Sequence, residues 1–486
     1  MLNNSVQLRI SEFSKLYDLI ISKKHLLRKI KENIDFSFVN PMLKESYCEN
    51  FGRPAKEPEM MFKMLFLKKL YDLSDEVLIE NIKVNMAYKY FLNLMPEDDA
   101  VDSSLLTKFR KTRITEDILE EMLSETVHQA ITKGLINSKS IIVDSTHSKS
   151  RAKCETPTQI LRRYTKVLRK EIYKTQFEAS ALFPEKPGIT SELCEEIEYS
   201  KELVKNVKSS VNFNGTENTK KLLKRVEQLL KKDNLAEIQS AADEDAKTGH
   251  KSKDDSFYGY KTHIAMTEDR IITAIKVTPG ESSDGIQLPE LVTKTKNNGI
   301  TIKEIIGDAA YSSKDNLENA EKQEITVISK LNKIISNGTG NGKKGFIYNK
   351  DANTYQCRAG YLAKSHHLTK KKNCSSTMKY YFDIQNCKRC TQKKGCYKKD
   401  AKSNSYTITI KNNTHKKQQK LQETEYFKQR AKQRYMIEAK NAELKQAHGL
   451  KNSDSVGLLA MQIQSYFTVF AVNIKRIMKL QDIKSM

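Results

Sequence analysis

The sequence predicts an α/β protein, a mixed sheet wrapped and interrupted by helices. Three observations carry this. Short β-branched runs recur at residues 141–144, 258–266, 271–277, 302–307 and 325–329. Helical spacing of apolar residues dominates on either side of that region. Strands alternating with helices, rather than strands alone, favour a mixed sheet covered by helices. The hydrophobic fraction of 38% in 486 residues is enough for real cores, and a mean hydropathy of −0.63 excludes a polytopic membrane protein.

Taken in order, residues 1–135 read as helical. The run at 60–70 is compact and apolar, Ser74 is placed to cap a following helix carrying Val77, Leu78 and Ile82, and Pro96 with Glu97–Asp99 breaks the pattern before a further helix begins at Asp102. This is an N-terminal helical domain, for DNA binding or for dimerisation. The period then changes. Residues 141–144 form an apolar run that closes on a carboxylate, Asp144. Residues 155–240 return to helical spacing, with Leu222, Leu223, Val226, Leu229 and Leu230 in one stripe and a break at Pro184, Pro187 and Gly188. They read as an inserted helical hairpin or coiled segment whose charges are a solvated face.

Residues 258–266 and 271–277 read as a β-hairpin turning at 267–270. The strand at 302–307 runs into Asp308, and 325–329 is one more strand. Residues 331–420 differ in kind. Gly338, Gly340, Gly342 and Gly345 open a basic segment that holds five of the eight cysteines. Residues 421–448 are helical, Gly449 is placed as their stop, and 455–480 form a last apolar helix. The domains are therefore 1–135, then 136–330 with the insertion 155–240, then the basic segment 331–420, then 421–486.

Lys and Arg number 84 against 60 Asp and Glu, a net charge of +24. Such a surplus suits nucleic acid, because each neutralised phosphate releases counterions. A lysine-rich surface with no such partner is the plainer alternative. Eight cysteines are too few for a disulfide scaffold and fit a reducing compartment. The N-terminus lacks a basic-then-apolar leader pattern. The most apolar stretch, 456–472, is interrupted by Gln462, Gln464 and Ser465 and is shorter than the ~20 residues of a bilayer span. A cytoplasmic, nucleoid-associated protein is expected.

Asp144 and Asp308 sit at corresponding places, each at the end of an apolar run. Strand ends hold side chains rigidly while letting them converge. Hard divalent ions take oxygen ligands, so a few carboxylates suffice where substrate phosphate completes the shell. Each Asp could equally begin a turn or cap a helix. The third candidate is Glu438. At about 100° per residue, Arg434, Glu438 and Lys445 fall within an arc of about 40° on one helix, with Asn441 near the same line. An ordinary surface ladder of ion pairs would look similar.

The combination resembles the DDE transposases of bacterial insertion sequences. Asp102–Arg110 (DSSLLTKFR) looks like the close of that group's helical N-terminal domain. VDSTHSKSRA at 143–152, the hairpin at 258–285 and IIGDAAYSS at 305–313 look like its sheet, and RYMIEAKNAELK at 434–445 looks like its C-terminal signature. The cysteine-bearing insertion is also familiar from that group. The family's usual Tyr three residues before the Arg is Ala431 here.

The resemblance implies an RNase H-like core in which Asp144, Asp308 and Glu438 hold two Mg²⁺ ions, with Mn²⁺ able to substitute. It implies cleavage of DNA by in-line displacement and joining of element ends to target DNA by a homodimer. Arg434, Lys445, Asn441 and Arg110 would face DNA. An RNase H-like nuclease or resolvase without joining, and a non-enzymatic zinc-dependent DNA-binding protein, are the alternatives.

Cys387, Cys390 and Cys396, with Cys374 or Cys357 as a fourth, have the donors of a tetrahedral zinc site. Free thiols are the plainer reading, and Cys48, Cys154 and Cys194 read as structural. His147, His263, Asp284, Asp243 and Asp245 are further polar candidates around the site.

Overall fold

The computed structural model describes residues 11–485 except 49–53, 176, 189, 210–215, 232–234, 236–237, 252–254, 332–344, 350–351, 353, 370–375, 391, 393–395, 399–400 and 410–412. Gly338, Gly340, Gly342 and Cys374 lie outside the described residues.

The centre is a six-stranded mixed sheet: β1 (Ser140–Lys149), β2 (Lys247–His250), β3 (Ser256–Thr267), β4 (Ile272–Pro279), β5 (Glu304–Ile306) and β6 (Thr326–Ile328). The path is β2-β3-β1-β5-β6, with β4 also paired to the long β3. β3 runs antiparallel to β1, β2 and β4, whereas β5 and β6 continue parallel to β1. Four antiparallel strands extended by two parallel ones make the mixed α/β, RNase H-like arrangement that the sequence predicts. The hairpin turns as expected, with Arg270 at φ 65.

Strand alternation distributes the side chains. Ile141 and Val143 of β1 pack with Ile305, Val327, Leu291 and Leu317 on one face. Ile142, Ile264 and Ile306 pack on the other, in a core shared with Phe62, Phe66, Leu123, Phe467 and Phe470. That second face is covered by the long helix Leu458–Lys484, which lies between the sheet and the N-terminal helices Pro58–Leu70 and Glu116–Thr132. One apolar core therefore joins the N-terminal helices to the sheet through the last helix of the chain. Within that helix Gln464 is buried, its amide donating to the carbonyls of Gly449 and Asn452. No helix among the described residues is long and apolar enough to cross a membrane.

Local signals held at several joints. Ser74 caps the helix Asp75–Val84, accepting from Val77 N at 3.2 Å. Asp102 caps Ser103–Arg113. Gly449 stands at φ 70, and a Cβ there would collide with Asp72.

Several expectations need correction. Among the described residues the insertion has three α-helices, Pro157–Thr175, Leu193–Ser209 and Glu217–Leu229, packed on shared apolar cores rather than paired as a hairpin. β1 does not end at Asp144. It continues to Lys149, because its antiparallel ladder with β3 runs from Ile141↔Thr267 to Lys149↔Gly259. The run 421–448 is broken twice, giving helices Asn413–Glu423, Glu425–Lys432 and Tyr435–Gln446, with Thr424 capping the second. The basic segment builds a small sheet of its own, β9 (Ser365–Thr369), β10 (Thr377–Phe382) and β11 (Asn404–Thr409), beside the hairpin β7 (Ile347–Asn349) and β8 (Thr354–Gln356). Cys48, Cys154 and Cys194, read as structural, are exposed.

Candidate functional site

The parallel ladder between β1 and β5 stops at Ile142↔Ile306. Asp144 lies two residues further along β1, and Asp308 stands two residues beyond the end of β5, close enough for its charge to add to the rise at Asp144. Their parity is that of Ile142 and Ile306, so both belong to the face on which the C-terminal helices pack. Gly307 makes the approach feasible, since a Cβ there would meet Tyr311 at 2.7 Å and Val143 Cγ2 at 2.9 Å. Asp308 also caps the short turn Ala309–Tyr311, accepting from Ala310 N at 2.9 Å. The capping reading and the site reading of this residue are therefore compatible.

The helix Tyr435–Gln446 lies against β1 and buries Ile437 and Leu444. Asn441, one turn past Glu438, donates from Nδ2 to Asp144 Oδ2 at 3.0 Å. Glu438 itself is 62% exposed and faces Arg434 at 3.6 Å. Lys445 Nζ lies 3.4 Å from His147 Nδ1, and the His147 ring packs against Phe257 with centroids 4.7 Å apart and planes tilted by 35°. Asp308, Arg434 and Glu438 line a common cleft of about 870 Å³ with Lys330, Lys428, Lys432, Tyr435 and Ala431. Asp144 is not among the residues lining that cleft and is held by Asn441.

The electrostatics match this arrangement. Burial pushes the Asp144 carboxyl up to about 6. Asp308 and Asp284 add to the rise, and the Ser145 N–H and the Arg434 guanidinium oppose it. Burial and the nearby Lys445 lower His147 to about 4, and burial lowers Lys445. Four buried polar atoms around these residues have no hydrogen-bond partner: Asn441 Oδ1, Arg434 Nε, Tyr311 Oη and His263 Nδ1. Buried polar atoms are nearly always paired, so such a cluster calls for an explanation.

Among the described residues, no three His, Cys, Asp or Glu side chains form a group that could hold a metal ion. Asp308 is near enough to act on the Asp144 carboxyl, while Glu438 is turned to Arg434. The chemistry of the donors still suits a hard cation, with a desolvated carboxylate, a second carboxylate near it and an orphaned amide oxygen.

The other candidates are placed as follows. Asp284 accepts from Lys261 Nζ at 3.0 Å and stands 3.6 Å from buried His263, whose Nε2 lies 2.9 Å from Thr278 Oγ1. Asp243 and Asp245 serve the framework, since they accept from the backbone N–H groups of Gly457 and Leu458 at the start of the last helix. Arg110 is held by Asp75, with Nη1 at 3.0 Å from Oδ1 and Nη2 bonded to Oδ2. Cys357, Cys387, Cys390 and Cys396 line one small pocket, where Asn404 Nδ2 is 3.2 Å from Cys387 Sγ. They are free thiols and do not form a group that could hold a metal, so the zinc expectation draws no support from their arrangement.

Sequence reasoning missed Lys330 and Lys428 in the cleft, and also Arg430. Lys330 had a signal, since it follows the apolar run 325–329 at the same edge as Asp308. Arg430 had none. It bonds Glu304 of β5, Glu268 of the hairpin turn and Ser140 of β1, fastening the helix Glu425–Lys432 to the sheet.

A mixed sheet of this order, with two neighbouring carboxylates beside a helix bearing Arg434, Glu438 and Lys445, defines an RNase H-like carboxylate protein. Comparison with known families makes this specific. Residues 219–474 match the family described as "Transposase DDE domain", and residues 14–112 match "Transposase domain (DUF772)". The chain belongs to the DDE transposase family. The longer match begins after β1 and does not include Asp144. Over 92 residues, 18% of this chain, it is 33% identical to the "Uncharacterized protein ORF8 in nfe locus" of Rhizobium meliloti, and the alignment covers 44% of that relative.

Proposed function

We propose that this protein is a DNA transposase that cuts at the ends of an insertion sequence and joins them to target DNA. The observation that supports this is the β1–β5 register, which continued past Ile142↔Ile306 leads to Asp144 and Asp308, beside the helix Tyr435–Gln446, in a chain of this family. Asp144, Asp308 and Glu438 would be the oxygen donors for Mg²⁺ or Mn²⁺. The bound cation supplies Lewis acidity at the scissile phosphate.

The chain's own residues do the rest. Arg434, with its planar fork, and Lys445, as a point charge, hold phosphate oxygens near the carboxylates. Lys330, Lys428 and Lys432 add positive charge along the cleft, which draws DNA in and makes binding salt-dependent. Asn441 holds the Asp144 carboxylate in one orientation. Two element ends have to be processed together, so a homodimer on DNA follows, with the N-terminal helices and the basic segment 331–420 as its DNA-facing and dimerising parts. The protein acts in the cytoplasm, at the nucleoid.

The test uses the DNA flanking the gene as donor, a supercoiled plasmid as target, and Mg²⁺ or Mn²⁺. Donor ends joined to the plasmid are expected. Nicked DNA without joining would make the protein a nuclease, and no cleavage under any divalent cation would leave a DNA-binding protein.

A further inference from the structure

Asn441 is the helix side chain in direct contact with Asp144, a position at which the spacing of the motif leads one to expect Glu438. Its amide has two halves, and only one is used. Nδ2 donates to Asp144 Oδ2 at 3.0 Å. Oδ1 is buried and accepts from nothing. Exchanging the two ends of the amide would set a carbonyl oxygen against a carboxylate, so the hydrogen bond fixes which end is left over. An unpaired amide oxygen in a buried setting is destabilising, and a helix offers easier ways to fill that position. A leucine or alanine would pack beside Ile437 and Leu444 without the penalty. Neighbouring orphans are donors, Arg434 Nε and Tyr311 Oη, yet neither is bonded to this oxygen.

Resting on the reading of the site as a divalent-cation centre, we propose that Asn441 is a ligand of that centre. Its free Oδ1 joins the carboxylates of Asp144 and Asp308 in the donor set, and its N–H group holds Asp144 in the orientation the set requires. The donors are then a carboxylate from β1, a carboxylate from the end of β5 and an amide oxygen from the helix. Amide oxygens are ordinary ligands for hard divalent ions. Glu438, exposed and paired with Arg434, is the member that arrives with substrate. This separates two jobs on one helix. Asn441 keeps part of the donor set in place before DNA binds, and Glu438 responds to DNA once Arg434 turns to phosphate.

The test is Mn²⁺ binding to the full-length protein without DNA, read by electron paramagnetic resonance of the free ion and by calorimetry, with thermal unfolding as the check on folding. Asn441→Ala is expected to weaken Mn²⁺ binding about 10- to 100-fold. Asn441→Asp, nearly the same shape, loses the N–H bond to Asp144 but keeps the oxygen, and is expected to bind Mn²⁺ at least as tightly as the wild type. Glu438→Gln is expected to leave DNA-free Mn²⁺ affinity within about threefold while removing cleavage. If Asn441→Ala binds Mn²⁺ like the wild type, or if Asn441→Asp is as weak as Asn441→Ala, the ligand role is wrong while the proposed function stands. If the wild type binds no Mn²⁺ with or without DNA, the cation centre and this inference fall together.

Discussion

Arg430 and Arg434 are one helical turn apart in sequence and belong to opposite regimes. Arg430 has its hydrogen bonds filled by Glu304, Glu268, Ser140 and Gln433, and those partners hold its guanidinium above the ordinary range. Arg434 keeps a buried Nε with no partner and a single loose contact to a half-exposed carboxylate. The first arginine fastens a helix to two strands and the hairpin turn. The second is left with bonding capacity to give away. The contrast extends beyond the pair. At the framework end of the sheet the charges are matched, and at the Asp144 end they are deliberately incomplete. A protein tolerates the cost of unsatisfied polar groups where a ligand later satisfies them.

The largest effects fall at the incomplete end. Asp144→Asn, Asp308→Asn and Glu438→Gln should each lower DNA cleavage by about 10³-fold or more, the scale seen when a member of a catalytic unit is removed. DNA affinity, measured by fluorescence anisotropy, should change little. A parallel loss of binding and cleavage in all three would place these acids in DNA recognition and erase the contrast.

The two arginines should then separate cleanly. Arg430→Ala strands Glu304, whose side chain is 5% exposed, with only Tyr426 Oη and Ser140 Oγ as neighbours. Leaving a buried charge uncompensated costs about 3 kcal/mol, visible in urea unfolding. Arg434→Ala should change stability by less than about 0.5 kcal/mol and should lower the slope of log affinity against log salt by about one phosphate contact. Equal destabilisation by both substitutions would show that the two residues do the same work.

The pH dependence sharpens the same point. The folded-state Asp144 carboxyl titrates at about 6, above its ordinary value of 3.8, chiefly because it is buried. The fold therefore disfavours its ionised form, and the associated stability is present below 3.8 and lost as pH rises through 6. A cation needs the ionised form. Mn²⁺ affinity should fall about tenfold per pH unit below 6 and level off above it, and Asp144→Asn should flatten that profile.

Much of this was legible in the sequence, and the reasons are local. The strands that carry β-branched runs announced themselves, as did the Ser74 cap, the helix start at Asp102 and the Gly449 stop. Both aspartates were legible because each follows an apolar run. What stayed hidden depends on distant partners. β2 is Lys247–His250, four residues with no apolar pattern, and it is a strand because β3 is long enough to offer a second edge. The break before Arg434 has neither glycine nor proline to mark it. Asn441 and Asp144 are 297 positions apart, so helical spacing put Asn441 near the stripe without revealing its partner. The same spacing gave Glu438 its place in the motif but not its present turn toward Arg434.

The smallest effect concerns Arg110, which the motif resemblance assigns to DNA and the structure pairs with Asp75. Its side chain is 22% exposed and that of Asp75 is 13% exposed. Burial raises the Asp75 carboxyl, but hydrogen bonds from Arg110 and Lys68 outweigh this and hold it below the ordinary value. The pair's contribution is therefore present above pH 3.8 and lost as pH falls through the depressed value. Unlike Arg430, Arg110 has an understudy, because Lys68 Nζ also reaches Asp75 Oδ1 at 2.8 Å. Arg110→Ala should thus cost only about 1 kcal/mol at neutral pH, below the ~3 kcal/mol expected where no second cation remains. The deficit should shrink as Asp75 protonates. If Arg110 serves the helical framework alone, DNA affinity and its salt slope stay at the wild-type values. A slope reduced by about one at unchanged stability would move Arg110 from the framework to the DNA-binding surface.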